Sequence, residues 1–396
     1  MDYGLIGEKL SHSYSKVIHE ALGTYKYELK EIPRDELEAF MKAKDFKGIN
    51  VTIPYKERVM EYLDVIDERA KRIGAVNTVV NRDGVLYGYN TDYDGLRELT
   101  LRNGIDPKGK KVLILGSGGT SKTAFCVFTD LGANKIVRVS RSEKEGFVTY
   151  EDAYRNHSDC EVLVNTTPAG MFPNIDATPC DIGKFTKLSG VVDVIYNPLR
   201  TLFLQEAGEK GIKGACGLYM LVYQALKAYE HFTGKAVNQK TGDKIYESIL
   251  SEKQNIVIIG MPGAGKTTFG KYVAKKLNRN FYDTDEEIVK RENRSIPEIF
   301  ATDGEKYFRE AELNAVRELC EGNGAVIATG GGCAVRKECI KILKAYGRIF
   351  LYDRPLDDIK PTADRPLSQN REALEALYKE RMPVYRQNCD VCLEGT

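Results

Sequence analysis

Asn255-Ile-Val-Ile-Ile-Gly-Met-Pro-Gly-Ala-Gly-Lys-Thr267 is an apolar run that breaks into glycines and ends on a lysine and a hydroxyl. The run reads as a short buried strand, and Gly260-x4-Gly265-Lys266-Thr267 as a full Walker A loop opening a helix. In such a loop the backbone N–H groups of residues 261–267 cradle phosphates, Lys266 spans the β and γ phosphates, and Thr267 Oγ ligates Mg²⁺. Gly263, Ala264, Gly265, Lys266, Thr267 and Thr268 are therefore the expected ATP contacts. A second glycine loop of different grammar lies upstream. The apolar run Lys111–Leu115 leads into Gly116-Ser-Gly118-Gly119-Thr-Ser121 and a helix-like run to about Leu131. That is the order of a dinucleotide loop, with Ser121 where the third glycine usually stands. Gly116, Gly118 and Gly119 would let N–H groups at the helix start face a pyrophosphate. The next strand, Lys135–Val139, is followed by Ser140-Arg141-Ser142-Glu143-Lys144, with no acidic residue at its end to hold the ribose of NAD. Ser140, Arg141 and Lys144 suit the 2′-phosphate of NADP(H) instead. One chain with both loops should handle a redox cofactor in one half and a nucleoside triphosphate in the other.

The rest of the sequence is compatible with two joined enzymes. A length of 396 residues allows two or three domains. With 58 basic and 57 acidic residues, nothing electrostatic favours nucleic acid or a membrane surface. The first residues lack the apolar core of a signal peptide, no run is long enough to span a bilayer, and nine scattered cysteines suit reduced thiols, so a cytoplasmic protein is expected. Cys389-x-x-Cys392 with Cys333 and Cys339 reads as isolated thiols rather than a zinc site, because the second pair lacks ligand spacing. Strand-like and helix-like runs alternate throughout, which reads as α/β. Tyr3–Ile6, Lys26–Ile32, Ile49–Ile53, Glu161–Val164 and Val191–Val194 look like strands. Pro33–Lys44 looks like a helix opened by proline, and Gly217–Phe232 like a long helix ending at Thr233-Gly234. Thr91-x-x-Asp94 has the form of a capping box. The polar segment 241–254 reads as a linker, with one amphipathic stretch over Lys244–Leu250.

Several motifs in the first half carry a resemblance. Gly7-x-x-x-Ser-His-Ser13-Tyr-Ser15, Gly48-Ile-Asn50-Val-Thr52-Ile-Pro54-Tyr-Lys56, Ala75-Val-Asn77-Thr78 and Gly88-Tyr-Asn90-Thr91-Asp92 come in order. Asn165-Thr-Thr-Pro168-x-Gly170-Met171, Asp193-x-x-Tyr196 and Met220-Leu-x-x-Gln224-Ala225 follow. Together, over about residues 1–240, they resemble shikimate dehydrogenase. Reducing a carbonyl needs a hydride on carbon and a proton on oxygen, and a lysine held by a carboxylate can donate that proton. The resemblance implies that Lys56 and Asp92 are the catalytic pair. It also implies that Asn50, Thr52, Asn77, Tyr196 and Gln224 meet the substrate, and Ser13 and Ser15 its carboxylate.

The second half is similar to shikimate kinase from about Asn255 onward. Beyond the Walker loop, the similarity rests on Phe281-Tyr-Asp283-Thr-Asp285, Gly304-Glu-Lys-Tyr-Phe308-Arg309 and Ala328-Thr-Gly330-Gly331-Gly332. Asp364-Arg365-Pro366-Leu367 and Arg381-Met-Pro383-Val-Tyr385 complete it. It implies Asp285 on the acceptor hydroxyls, Arg309 and Arg381 on the carboxylate, and backbone N–H groups from Gly331 and Gly332. It further implies a catalytic Arg365 closing from a lid, and Asp283 supporting Mg²⁺ beside Thr267.

The expectation is thus a dehydrogenase with an α/β substrate domain (1–101 plus helix 217–240) and a Rossmann-type NADP domain (102–216). The linker 241–254 joins it to a P-loop kinase domain with a parallel sheet (255–396). Its substrates would be 3-dehydroshikimate and shikimate, consecutive in one pathway, with NADP(H), ATP and Mg²⁺ as cofactors. An NAD-linked quinate or shikimate dehydrogenase in front, or a ligand sensor without catalysis, are the alternatives. The sensor should lack Lys56, Asp92 or Lys266, and all three are present. Three departures from the families stand out: Lys16 for a proline, Tyr219 for a glycine near the expected nicotinamide site, and a short lid between Asp353 and Arg365. That lid lacks a further arginine, Lys360 being the nearest substitute.

Overall fold

A buried parallel strand must be apolar on both faces, and the runs that precede the two glycine loops meet that demand. In the computed structural model, which describes residues 1–10, 14–23, 25–321, 324–359 and 370–395, each lies inside a five-stranded parallel sheet. The chain divides into two compact units, Met1–Ser248 and Ile249–Thr396.

The first unit opens with β1 (Tyr3–Gly7), β2 (Tyr27–Glu31), β3 (Gly48–Val51), β4 (Val65–Ile66), β5 (Thr78–Arg82) and β6 (Val85–Tyr89), in sheet order β2-β1-β3-β5-β6-β4. β1 pairs parallel with β2 and β3, whereas β5 runs antiparallel to β3 and β6. Its helices are α1 (Tyr14–Ala21), α2 (Leu37–Ala43), α3 (Glu68–Ile73) and α4 (Thr91–Arg102), around a core that includes Ile6, Ile49, Val79 and Leu86. Two local expectations are corrected. α2 begins at Leu37 rather than Pro33, because the Pro33 carbonyl is taken by a tight turn to the Glu36 N–H (3.1 Å). The cap of α4 is Asn90, whose Oδ1 accepts from the Tyr93 N–H (3.2 Å), so Thr91-x-x-Asp94 is no capping box.

The second sheet holds β7 (Lys111–Leu115), β8 (Lys135–Val139), β9 (Val162–Asn165), β10 (Gly190–Asp193) and β11 (Lys213–Cys216), all parallel, in order β11-β10-β9-β7-β8. α5 (Gly119–Asp130), α6 (Tyr150–Asn156) and α7 (Leu202–Glu209) connect them. Strand order reverses between β7 and β9, and a crevice at the carboxyl ends of such strands is where doubly wound sheets bind ligands. α8 (Leu218–Thr233) stops at Gly234, whose φ of +71° is easy only for glycine. It lies so close to α4 that a Cβ on Gly95 would sit 2.6 Å from the Met220 carbonyl.

The segment expected as a linker is helical: α9 spans Gln239–Lys253. Asp243 pairs with Arg102, and the Tyr246 ring meets Tyr219 edge-on with centroids 5.3 Å apart. The polar majority of this helix hides a stripe of Ile245, Tyr246 and Ile249, spaced to face one side.

The second unit contains β12 (Asn255–Ile259), β13 (Phe281–Asp283), β14 (Val326–Ala328), β15 (Gly347–Asp353) and β16 (Val391–Glu394), parallel throughout, in order β13-β14-β12-β15-β16. Its helices are α10 (Lys266–Leu277), α11 (Thr284–Glu292), α12 (Ile296–Thr302), α13 (Gly304–Glu321), α14 (Lys337–Tyr346) and α15 (Arg371–Asn388). β12 is central, so the Walker loop emerges between neighbours on both sides. Among the described residues no helix is long and apolar enough to cross a membrane.

Candidate active sites

In the first unit a cleft of about 250 Å³ gathers Ser15, Asn50, Thr52, Lys56, Asn77, Asp92, Tyr196 and Gln224. Lys56 comes from the turn after β3 and Asp92 from the first turn of α4. The Lys56 ammonium donates to Asp92 Oδ2 at 2.6 Å, with both side chains partly sheltered. The carboxylate at a helix N-terminus and the ammonium beside it hold each other in place.

The two asparagines are fixed by different networks. Asn50 Oδ1 accepts from the Tyr27 hydroxyl (2.7 Å), and its Nδ2 donates to the Asn77 carbonyl (3.2 Å) and Thr78 Oγ1 (3.0 Å). Asn77 Oδ1 accepts from the Thr91 N–H (2.7 Å) and from the hydroxyls of Thr91 (3.2 Å) and Thr78 (3.1 Å). Gln224 Nε2 donates to the Leu221 carbonyl at 3.0 Å. Tyr27 was not legible as part of this site. It is the buried first residue of an otherwise exposed edge strand, and a buried hydroxyl needs a partner. Behind it the ring of His19 stacks on Tyr27 (4.1 Å), and burial pushes the imidazole down to about 3.

Ser13 lies outside the described residues, and Ser15 lies within α1. Lys16 points away from the cleft, within 3.9 Å of Glu20 on the exposed side of α1. Tyr219 is a correction. Its side chain is buried against Tyr223, Tyr246 and the Arg102 guanidinium (4.3 Å from ring centroid), not in the cleft. Gly217, Met220 and Leu221 line the cleft from that element.

The dinucleotide loop leaves β7 at Gly116, with φ of +113° and a would-be Cβ only 2.7 Å from Thr166 Oγ1. A side chain there would be strained and would fill the crevice. A Cβ on Gly118 or Gly119 would meet nothing within 4 Å, and no side chain caps α5. The Ser121 N–H donates to the Gly118 carbonyl (3.0 Å), which leaves the N–H groups of Gly119 and Thr120 to face an anion. Ser121 is buried, consistent with close helix–strand packing at the third position. Ser140 is buried and accepts from the Ser142 N–H (3.3 Å), while Arg141 and Lys144 are exposed. The opposite lip of the crevice is held by Asp193. Its carboxylate accepts from Thr201 (2.6 Å), Asn165 (3.0 Å) and the Ile195 N–H (3.1 Å), yet burial lifts it to about 6.

In the second unit a cleft of about 170 Å³ brings together Gly263, Lys266, Thr267, Asp283, Asp285, Arg309, Gly331, Gly332 and Arg381. The buried Lys266 ammonium donates to the carbonyls of Gly260 (3.0 Å) and Met261 (2.9 Å). Thr267 Oγ1 donates to Asp283 Oδ2 at 2.6 Å, and Asp283 Oδ1 caps α11 through the Asp285 N–H (3.0 Å). Ala264 is buried beneath the loop, and Thr268 is exposed outside the cleft.

The three glycines after β14 each stand against a different polar side chain. A Cβ on Gly330 would collide with the Asp285 carboxylate, and one on Gly332 with the Arg309 guanidinium. One on Gly331 would press on Pro262 (2.9 Å) and Arg381 (3.3 Å). Arg309 is fixed by Glu305 (3.0 Å) and Glu312 (3.2 Å), and Arg381 is buried with its Nε unpartnered. Glu312 was missed in the sequence, where only its position three residues after Arg309 hinted at it. Burial pushes its carboxyl up against the pull of Arg309 and Arg336. Arg365 and Lys360 lie outside the described residues.

Comparison with known proteins covers both units. Family models match the shikimate dehydrogenase substrate binding domain over residues 5–79, the shikimate 5'-dehydrogenase C-terminal domain over 217–242, and shikimate kinase over 262–396. A shikimate dehydrogenase (NADP(+)) of Clostridium perfringens is 39% identical over 264 residues, which is 62% of this chain and 97% of the relative. A chorismate mutase/shikimate 5-dehydrogenase fusion protein from Clostridium acetobutylicum is 36% identical, with a TM-score of 0.59, over 62% of this chain and 96% of its own. The Thermus thermophilus shikimate 5-dehydrogenase, solved with NADP(H) and shikimate, is 30% identical with a TM-score of 0.56 over 63% of this chain and 99% of its own.

Proposed function

The chain belongs to the shikimate dehydrogenase family and carries a shikimate kinase domain behind it, and on that premise we propose that it reduces 3-dehydroshikimate to shikimate and then phosphorylates the 3-hydroxyl of shikimate. The observation that carries the first step is the Lys56–Asp92 contact of 2.6 Å in a cleft of amides and hydroxyls. Gly116, Gly118 and Gly119 would hold the pyrophosphate of NADPH and Ser140, Arg141 and Lys144 its 2′-phosphate, and the bound cofactor would supply the hydride. Lys56 gives its proton to the carbonyl oxygen, and Asp92 keeps the ammonium aimed. Asn50, Thr52, Asn77, Tyr196 and Gln224 orient the ring, and Ser13 and Ser15 bind the carboxylate.

For the second step, Asp285 holds the acceptor hydroxyl, and Arg309 and Arg381 clamp the carboxylate in bidentate fashion. The N–H groups of the Gly331–Gly332 turn lie alongside. Lys266 shifts from its two carbonyls to the β and γ phosphates, and Arg365 meets the transferring group. The hydroxyl of Thr267 and the carboxylate of Asp283 are hard oxygen donors that fit Mg²⁺ with retained water, which would neutralise phosphate charge.

A substrate and cofactor panel on the purified chain tests the reading. NADPH should be oxidised with 3-dehydroshikimate, and ATP consumed with shikimate. Lys56→Ala should cut the reduction by about 10²–10⁴-fold and spare the kinase. Lys266→Ala should do the reverse. Preference for NAD and quinate, or loss of both activities in either folded variant, would sink the proposal.

A further inference from the structure

β15 lies beside β12 in the sheet, so its carboxyl end arrives next to the Walker loop. The two are in close contact there. The Tyr352 carbonyl stands 2.7 Å from where a Cβ on Gly260 would be, and the Tyr352 ring stacks on Phe269 of α10 with centroids 4.8 Å apart. Two residues further on, Arg354 turns its guanidinium toward the loop. Its Nη1 is 3.8 Å from the position a Cβ on Gly265 would take. Gly265 has φ of +95° and offers no side chain to shield the loop backbone from that charge.

Nothing among the described residues neutralises Arg354. It forms no ion pair there, and the neighbouring Asp353 is taken by Arg386 at 3.0 Å. Its Nε is buried and has no acceptor. A buried guanidinium N–H without an acceptor is costly, and the arrangement becomes favourable when an anion reaches it. The planar fork of arginine pairs two N–H groups with two phosphate oxygens, which a lysine cannot reproduce.

We propose that Arg354 contacts the phosphate chain of the nucleoside triphosphate from the β15 side of the Walker loop. This deepens the kinase reading and rests on it. Arg354 supplies nucleotide affinity and holds the polyphosphate while Lys266 and Arg365 act at the transferring group. The acceptor should be untouched, because Arg354 stands against Gly265 of the Walker loop, whereas Asp285, Arg381 and Arg309 stand against Gly330, Gly331 and Gly332.

Calorimetric titration of the full chain with ADP, with Mg²⁺ present, tests this. Arg354→Ala should bind ADP about 10- to 100-fold more weakly, and Arg354→Lys should fall between. KM for ATP should rise by a similar factor while shikimate binding, titrated alone, stays within about twofold, which also reports that the unit is folded. Wild-type ADP affinity in an Arg354→Ala chain that binds shikimate normally would overturn the inference. So would equal loss toward ATP and shikimate, which would make Arg354 a packing residue. Failure of the unaltered chain to bind ADP strikes at the kinase reading instead.

Discussion

Two buried titratable side chains near the first cleft respond to pH in opposite directions. Burial lowers His19 to about 3, so between pH 6.5 and 3 the unfolded chain takes up a proton that the native state excludes. Stability from this group is complete above pH 6.5 and falls on acidification by as much as about 5 kcal/mol. Burial raises Asp193 to about 6, so between pH 3.8 and 6 the native state holds a proton that the unfolded chain has lost. Stability from this group falls as pH rises through that window, by about 3 kcal/mol, and is flat above it. Between about pH 4 and 6 the two slopes oppose and largely cancel in the unaltered chain, so urea midpoints of the first unit from pH 4 to 8 should reveal each one only when the other group is removed. His19→Phe should remove the acid-side loss and keep the stack on Tyr27. Asp193→Asn should remove the opposing slope, with Asn165 and the Ile195 N–H still donating to its remaining carbonyl. Unchanged profiles in both variants would mean that neither group keeps its shifted state.

At the scale of elements, the glycine loops make the sharpest demand on residue type. Gly116→Ala puts a methyl group 2.7 Å from Thr166 Oγ1 at a backbone angle that alanine resists. It should weaken NADP(H) binding by about 1–3 kcal/mol, read as a loss of fluorescence-titrated affinity, with ADP binding at the second site unaffected. Equal NADPH affinity in the variant would show that the loop relaxes freely. Both loops were legible in the sequence because an apolar run followed by glycines leaves the chain few other choices. α9 was not legible as a continuous helix, because its few apolar side chains are outnumbered by polar ones and only packing reveals the common face of Ile245, Tyr246 and Ile249. Tyr219 was misplaced for a related reason: residue spacing says which helix a side chain is on, but its direction is set by the neighbours that fill the space. Tyr219→Gly should therefore destabilise the α4–α8–α9 packing by about 3 kcal/mol or more rather than enlarge the cleft. Its thermal midpoint should drop while KM for 3-dehydroshikimate changes little. Arg309, Arg381 and Asp285 could be named from motifs, whereas Tyr27 and Glu312 required the folded neighbourhood that gives a buried hydroxyl or carboxylate its partner.

For the whole molecule, each compact unit carries its own nucleotide loop, its own sheet and its own cleft. Ligands should therefore stabilise different parts of the unfolding curve. At 100 times its dissociation constant a ligand adds about 2.7 kcal/mol to the state that binds it. In scanning calorimetry NADP⁺ should raise one transition and ADP another, and together they should raise both. A single transition moved equally by either ligand would contradict independent units.

The two asparagines of the first cleft have spent their hydrogen-bonding capacity in opposite ways. With both Nδ2 hydrogens of Asn50 committed to Asn77 and Thr78, only an acceptor lone pair remains on its amide. With Oδ1 of Asn77 saturated by Thr91 and Thr78, its amide hydrogens are what it has to offer. A ligand that satisfies both must give a hydrogen bond to Asn50 and take one from Asn77. Free alcohols can do both, whereas an ether or a halogen cannot give, so alkylating the one hydroxyl that faces Asn50 should be enough to turn a substrate into a stranger.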